Sequence, residues 1–575
     1  MHIVVRVKVS VPKSYVLTPL SRRLRVLIVS SVSVCVSSAC TWSEEEKITP
    51  IVPRTESKPP LVPLGLNLGS LNYYSPTLPF IDVMKNASEP TTTGPSEGGP
   101  WDTELIDRVP LDPDGYPLEV PYAGEGVSAP QWVRYAVVNL TYAGRYTLLY
   151  DGDGEFAFPP VPVEVVSRSA GAWQLDVPKR DGSLFVTITR SSRSNHVRNL
   201  RLLLPGFTRE AAQMQVFHPQ FLERIHGASV LRFMDWQRTN DSTLTRWADR
   251  ATPERVQGTA RGVALETILE LANRANADPW LCLPHGADDD FVERTATLVR
   301  ERLRPDRVVY IEYSNELWNV VFEQADYVQQ QGCAAGLERV EPKPGACSAA
   351  VGRMWAGTKW SAQRSAQIFA IFERVFGGTQ RLVRVLGGQA ANAARNEVLL
   401  EAFNDSAINP RGVRADALAI APYFGNVVGA LTEDESPRRI TVEELLDRAE
   451  ESIETQVRDA THDNKRVADL YGVRLVAYEG GQHLVASGAL ADDEALTDKL
   501  IAANRDPRMA VLYRKMFDAW YSESGNDLLV LFNSAELPGK HGSWGLLESQ
   551  DEPTERAPKY RAFRERLTAL ATHRP

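Results

Sequence analysis

This chain of 575 residues is poor in the residue types that hold metals. It has five cysteines and nine histidines, with no CxxC pair and no paired His/Cys cluster, so nothing in the sequence suggests a metal centre. No glycine-rich phosphate fingerprint follows any early strand, which removes the usual warrant for a dinucleotide fold. Long basic runs are missing too, and the formal net charge is −9, an argument against a nucleic-acid partner. Only one apolar stretch is of note, LRVLIVSSVSVCVSSAC (24–40), and it is shorter than the roughly 20 residues of a comfortable membrane span.

That stretch follows Arg22 and Arg23 and ends in small residues before Cys40, the pattern of an export signal. Its end resembles a bacterial lipoprotein signal, which would make Cys40 the lipidated residue and attach the chain to a membrane. Ser37 departs from that pattern, standing where Leu is usual. The expectation is an exported chain: extracellular, periplasmic or lipid-anchored at an outer membrane. Residues 1–40 would be the export segment, and the charged, Pro-rich 41–60 a linker. Cys333 and Cys347 flank a loop-like stretch and are placed to close a small disulfide in an oxidising compartment, the alternative being two unrelated thiols.

What is abundant is alternation of strand and helix signals. Strand-like runs occur at 64–70, 229–236, 279–286, 308–319, 381–389, 415–425, 473–484 and 527–535, each followed sooner or later by an amphipathic helical pattern. Eight such units predict an α/β fold, a (β/α)8 TIM barrel. Residues 131–205 break the rule with short alternating strands and Gly/Asp turns. They predict a small antiparallel β-domain, a sandwich, inserted after the first barrel strand. The barrel then comprises 61–130, with its excursion, and 206–575.

Chemistry in such a barrel sits where the strands end at their C-termini. Strand four reads VVYIEYSNELWN: a β-branched and aromatic run, then Asn315 and Glu316 side by side. A helix cap would account for those two residues alone. Strand seven, however, ends in Glu479, so two carboxylates face one mouth. Around them the strand ends supply Asn67, Arg232, Asp235, His285, Gln389, Tyr423 and His483, with His541 and Trp544 in the loop after strand eight. Two carboxyls held in different environments are the reagent of glycoside hydrolysis, one protonating the leaving oxygen and the other attacking the anomeric carbon.

With Asn315–Glu316 on strand four, Tyr423 after strand six and Glu479 in YEGG on strand seven, the chain resembles the clan A glycoside hydrolases, retaining enzymes of the cellulase-like and mannanase-like kind. The resemblance covers the barrel and not the inserted domain. It implies Glu316 as acid/base, Glu479 as nucleophile and Asn315 as a binder of the sugar 2-hydroxyl. Tyr423 and Arg232 would hold Glu479, and Trp544 would offer a stacking face. Strand eight, LLVLFNS, lacks the Trp often found at that strand's end, and Trp544 stands in for it. His285 and His541 are further candidates for substrate contact. The implied activity is double-displacement cleavage of a β-linked polysaccharide or oligosaccharide, needing no cofactor. The alternative is a non-catalytic, surface carbohydrate-binding protein.

Overall fold

The computed structural model describes residues 63–95, 100–137, 142–179, 184–337, 346–430 and 439–572. Cys40, and with it the expected export segment and the whole of the linker, lies outside them. Eight parallel strands close into a barrel: Leu64–Asn67, Val230–Arg232, Asp278–Leu283, Val309–Tyr313, Leu382–Gly387, Ala417–Ile420, Arg474–Ala477 and Leu529–Leu531. Seven fall inside the runs expected from the sequence, and the third begins one residue before its run, at Asp278. Closure is by strand one, which pairs with strand two at Leu66–Leu231 and with strand eight at Leu66–Leu531.

Side-chain alternation along these strands sorts two cores. On strand four Val309, Ile311 and Tyr313 face outward to the helices, while Tyr310 faces the barrel axis; on strand three Leu281 faces out and Trp280 and Cys282 face in. Helices capped by their own sequence complete the outer layer. Asp288 accepts the Phe291 N–H at 2.7 Å to open Asp289–Arg302, which accounts for that acidic run as a helix start. Thr441 and Glu444 form a reciprocal capping box at Val442–Ser452.

The stretch from Val442 to Leu470, helical throughout in its sequence pattern, is interrupted in the fold. Residues Ile453–Asp459 are wound as a wider π-helical stretch between two α-helical segments. Wider winding displaces the side chains that follow it, and this stretch forms part of a cavity wall described below.

Two four-stranded antiparallel sheets form the inserted domain. One orders Thr91–Thr93, Trp132–Val137, Leu184–Ser191 and Gly154–Ala157; the other orders Glu164–Ser169, Ala172–Val177, Gly144–Asp151 and Arg198–Leu203. Tyr146, Leu148, Trp173, Leu175, Val186, Ile188 and Leu202 fill the space between them, making a sandwich. It reaches further back than 131–205: Thr91–Thr93 is an edge strand, and Leu78, Val83, Met84, Val109 and Tyr116 enter the same core. Cys333 and Cys347 are joined in a disulfide.

Candidate active site

The polar layer of the barrel starts from Arg232, the third residue of strand two. Alternation puts Val230 and Arg232 inside, and the guanidinium is fully buried. A buried cation is stable only when paired and fully hydrogen-bonded. Arg232 donates through Nε and Nη2 to Glu312 Oε2 (3.2 and 2.8 Å) and through Nη1 to Glu479 Oε1 (2.8 Å). Further bonds from Nη1 and Nη2 reach Asn67 Oδ1 (3.3 Å) and Asn315 Oδ1 (2.8 Å). Its charged carbon also lies 4.9 Å from the Tyr478 ring centroid and 5.6 Å from that of Trp280.

Glu312 is a member of the site that the sequence reading passed over. Its Oε2 also accepts from Trp280 Nε1 (2.9 Å) and Cys282 Sγ (3.4 Å). The signal was there: a carboxylate two residues after Tyr310 falls on the inward phase of a buried strand. Gly387 on strand five makes room for it, because a Cβ there would come within 2.8 Å of Glu312 Oε1.

Strand four ends in an unusual backbone. Ser314 and Glu316 both take positive φ, 60° and 44°, which costs a non-glycine residue conformational energy. The helix-cap reading of this segment fails, since the next helix begins only at Glu323 and no side chain caps it. Glu316 instead faces the cavity. Asn319 Nδ2 donates to its Oε2 at 2.9 Å, and Tyr478 Oη lies 3.1 Å from its Oε1. Tyr478 Oη is in turn 3.3 Å from Trp318 Nε1, which donates to it, and 3.3 Å from the Gly388 carbonyl. Asn315, beside Glu316, is tied by Nδ2 to Asn240 Oδ1 (3.0 Å), which also accepts from Gln324 at 2.7 Å.

Glu479 lies two residues beyond Ala477, the last residue of strand seven. Tyr423 Oη donates to its Oε2 at 2.9 Å, while Arg232 holds its Oε1. Burial raises the pKa of both Glu316 and Glu479 above the ordinary carboxylate value. The two differ in what opposes burial. Glu479 has a buried guanidinium and a phenol, and Glu316 itself adds repulsion there. Glu316 has two neutral donors in contact, Asn319 and Tyr478, with Arg232 acting only through space. Glu479 thus has a cation in direct contact to favour its ionised form, and Glu316 has none.

Both carboxyls line a cavity of about 800 Å³ at the mouth of the barrel. Asn315, Tyr423, Trp544, His483 and Gln389 also line it, and so do Asn240, Trp318 and Phe532, which the sequence reading did not single out. Thr455, Gln456 and Asp459 of the π-helical stretch, with Asp463 beyond it, close one side. Trp544, Tyr423 and His483 pack edge to face with centroids 5.1 to 5.7 Å apart, and Phe532, just after strand eight, lies 6.0 Å from Trp544. His285 and His541 are not on this wall. The ring of His285 packs on Tyr327 at 4.9 Å, and His541 is exposed, giving its carbonyl to Trp544 Nε1. A residue's place in a strand-end loop does not fix where its side chain points. Arg232 and Asn67 lie beneath the cavity as supports.

No protein-family model matches this chain, and no curated protein is similar enough in sequence to count as a relative. Solved structures do match. One is the GH51 arabinofuranosidase from Xanthomonas axonopodis pv. citri, at 12% identity and a TM-score of 0.32, over 57% of this chain and 61% of that one. The match thus spans about three fifths of that enzyme. Another is an endo-1,4-β-D-xylanase of Clostridium thermocellum with its CBM22-1 and GH10 modules, complexed with xylohexaose, at 10% identity and 0.35, over 80% and 93%. A third is a GH51 α-L-arabinofuranosidase with bound arabinose, at 11% and 0.39, over 85% and 76%.

Proposed function

We propose that the chain is a retaining glycoside hydrolase acting on a β-linked polysaccharide or oligosaccharide. The observation that carries the reading is the pair Glu316 and Glu479 facing one cavity with different partners, Arg232 and Tyr423 on Glu479 and Asn319 and Tyr478 on Glu316. Glu479, ionised against Arg232 and Tyr423, attacks the anomeric carbon while Glu316 passes its proton to the leaving oxygen. The products of this step are a glycosyl ester on Glu479 and a free alcohol. Glu316, now a carboxylate, takes a proton from water, which attacks the ester and releases the sugar.

Tyr478 suits both halves of that cycle. When Glu316 is ionised, the Tyr478 hydroxyl can donate to it; when Glu316 is protonated, the hydroxyl can turn to the Gly388 carbonyl and accept the Glu316 proton as a hydrogen bond. Trp318 Nε1 donates to the same oxygen in either state. The carboxyl thus changes charge without leaving a buried polar atom unpaired.

The test is hydrolysis of a panel of aryl β-glycosides, β-glucans, mannans, galactans and xylans by wild type beside Glu316→Gln and Glu479→Gln. Cleavage of one substrate by wild type, lost in both variants, supports the mechanism and names the sugar. Binding without cleavage favours the alternative, a surface carbohydrate-binding protein. Export, with Cys40 lipidated, is proposed on the Arg-flanked apolar stretch before that residue and is checked by mass spectrometry of the N-terminus made in a bacterium.

A further inference from the structure

We propose that Arg395 is a positioning residue for Glu316: it fixes the peptide between Trp318 and Asn319, whose two side chains hold the two oxygens of that carboxyl. The proposal rests on the reading of Glu316 as acid/base and adds a residue to the machinery behind it. Arg395 lies in the first turn of the helix Ala393–Asn404, which follows strand five. Its side chain is buried. Nη1 donates to the Trp318 carbonyl at 3.2 Å, and Nε donates to Thr358 Oγ1 at 3.0 Å. Thr358 Oγ1 donates in turn to the Met354 carbonyl at 2.9 Å, so the helix Ala350–Phe376 anchors the guanidinium.

What Arg395 holds is the loop of the acid/base. Asn319 reaches Glu316 twice, by Nδ2 to Oε2 at 2.9 Å and by its N–H to the Glu316 carbonyl at 2.8 Å. Trp318 reaches it through Tyr478, whose Oη accepts the indole N–H at 3.3 Å and lies 3.1 Å from Glu316 Oε1. Both contacts start from the one peptide whose carbonyl Arg395 holds. The loop needs such a hold, because Ser314 and Glu316 take positive φ, and a strained backbone persists only where its surroundings over-determine it.

For packing alone, Arg395 is a costly choice. Among the described residues no carboxylate pairs with it, and burial, with no charge to oppose it, lowers its pKa to about 10. It also stands in the first turn of a helix, where the dipole disfavours a cation. Arg232, by contrast, has two carboxylates in contact. What a guanidinium offers in return is a rigid fork, able to join two fixed acceptors on different elements.

The experiment compares Arg395→Met and Arg395→Lys with wild type in two measurements on the full chain. The first is kcat/KM on an oligosaccharide and on a dinitrophenyl glycoside of the sugar that wild type cleaves, the latter having a leaving group that departs without protonation. Arg395→Met should slow the oligosaccharide by about 10- to 100-fold, the scale of a misplaced catalytic group, and the dinitrophenyl glycoside by less than about threefold. Arg395→Lys keeps the charge but not the fork. It should show the same pattern at smaller size, and it carries the test if Arg395→Met does not fold. Leu400→Ala, a core cavity on the same helix, should lower the melting temperature and leave the ratio of the two rates unchanged. Equal slowing of both substrates by the Arg395 variants, or no slowing of either, overturns the proposal.

The second measurement, fluorine NMR of the chain labelled with fluorotryptophan, reads the loop without turnover. The Trp318 line, assigned by its absence in Trp318→Phe, should shift with pH as Glu316 titrates and should not in Glu316→Gln. Arg395→Met should abolish that Glu316-dependent shift. A Trp318 line that does not follow Glu316 in wild type, or follows it equally without Arg395, overturns the proposal whatever the chain cleaves. No hydrolysis by wild type, together with a shift lost in Arg395→Met, would sink the hydrolase reading and leave the positioning of Glu316 standing.

Discussion

The sandwich core and the mouth of the barrel bury side chains to opposite ends. Between the sheets almost everything is apolar, and the buried Asp82 serves the backbone, accepting from Met84 and Leu202 N–H at 3.1 and 2.9 Å. At the barrel mouth Arg232, Glu312, Asn315 and Glu479 are as buried as any leucine, and their bonds run among one another. Burying charge costs several kcal/mol per ion, and apolar residues of the same volume often give a fold at least as stable. On the proposed reading, the core of paired ions is the one that serves chemistry.

The largest effect expected from breaking this contrast is on turnover. Glu316→Gln removes the proton donor and should slow cleavage by about 10²- to 10⁴-fold. The loss should shrink on aryl glycosides, whose leaving groups need little protonation. Glu479→Gln removes the nucleophile and should abolish turnover on both kinds of substrate; rates on the two kinds separate the roles.

Next in size is Arg232→Met, which leaves Glu312 and Glu479 buried without their cation. A stability loss of about 3–5 kcal/mol is expected by chemical denaturation. Adding Glu312→Gln to that variant should restore part of the loss, an outcome a merely steric defect would not give. In the sandwich, Leu148→Ala should cost about 2–5 kcal/mol through a cavity, with turnover of the folded protein unchanged. Equal stability losses with opposite effects on rate would sharpen the comparison.

Tyr423→Phe removes one hydrogen bond to a carboxylate, worth about 1.5–3 kcal/mol, and should lower turnover by about 10- to 150-fold. The smallest effect concerns Asp235, whose carboxyl is pushed from 3.8 up to about 7 by burial and by Glu536. Because the folded value lies above the unfolded one, the protonated group supports the fold below pH 3.8, and that support is lost as pH rises through about 7. Asp235→Asn should therefore raise the melting temperature more at pH 8 than at pH 5. The gain should be modest, since Asp235 keeps some contact with solvent.

The barrel was legible because its strands carry period-two and apolar signals that the helices between them lack. Glu316 and Glu479 were legible because a carboxylate at the end of such a strand has few structural reasons to be there. Glu312 was missed by reading strand four for its β-branched and aromatic residues alone, although its phase pointed inward. Thr91–Thr93 was missed because TTT between Pro90 and Gly94 has no alternation to read, and it becomes a strand only by pairing with Trp132–Val137. The π-helical stretch leaves no trace in side-chain periodicity that separates it from an α-helix.

The central claim is that Glu479 forms a covalent bond to sugar. The most direct measurement is peptide mass spectrometry after incubating the protein with a 2-deoxy-2-fluoro aryl glycoside of the sugar it cleaves, a substrate that slows breakdown of the glycosyl ester. The account predicts one sugar adduct per chain, on the peptide containing Glu479. An adduct on Glu316, or no adduct together with inversion of the anomeric centre in the product, would contradict it.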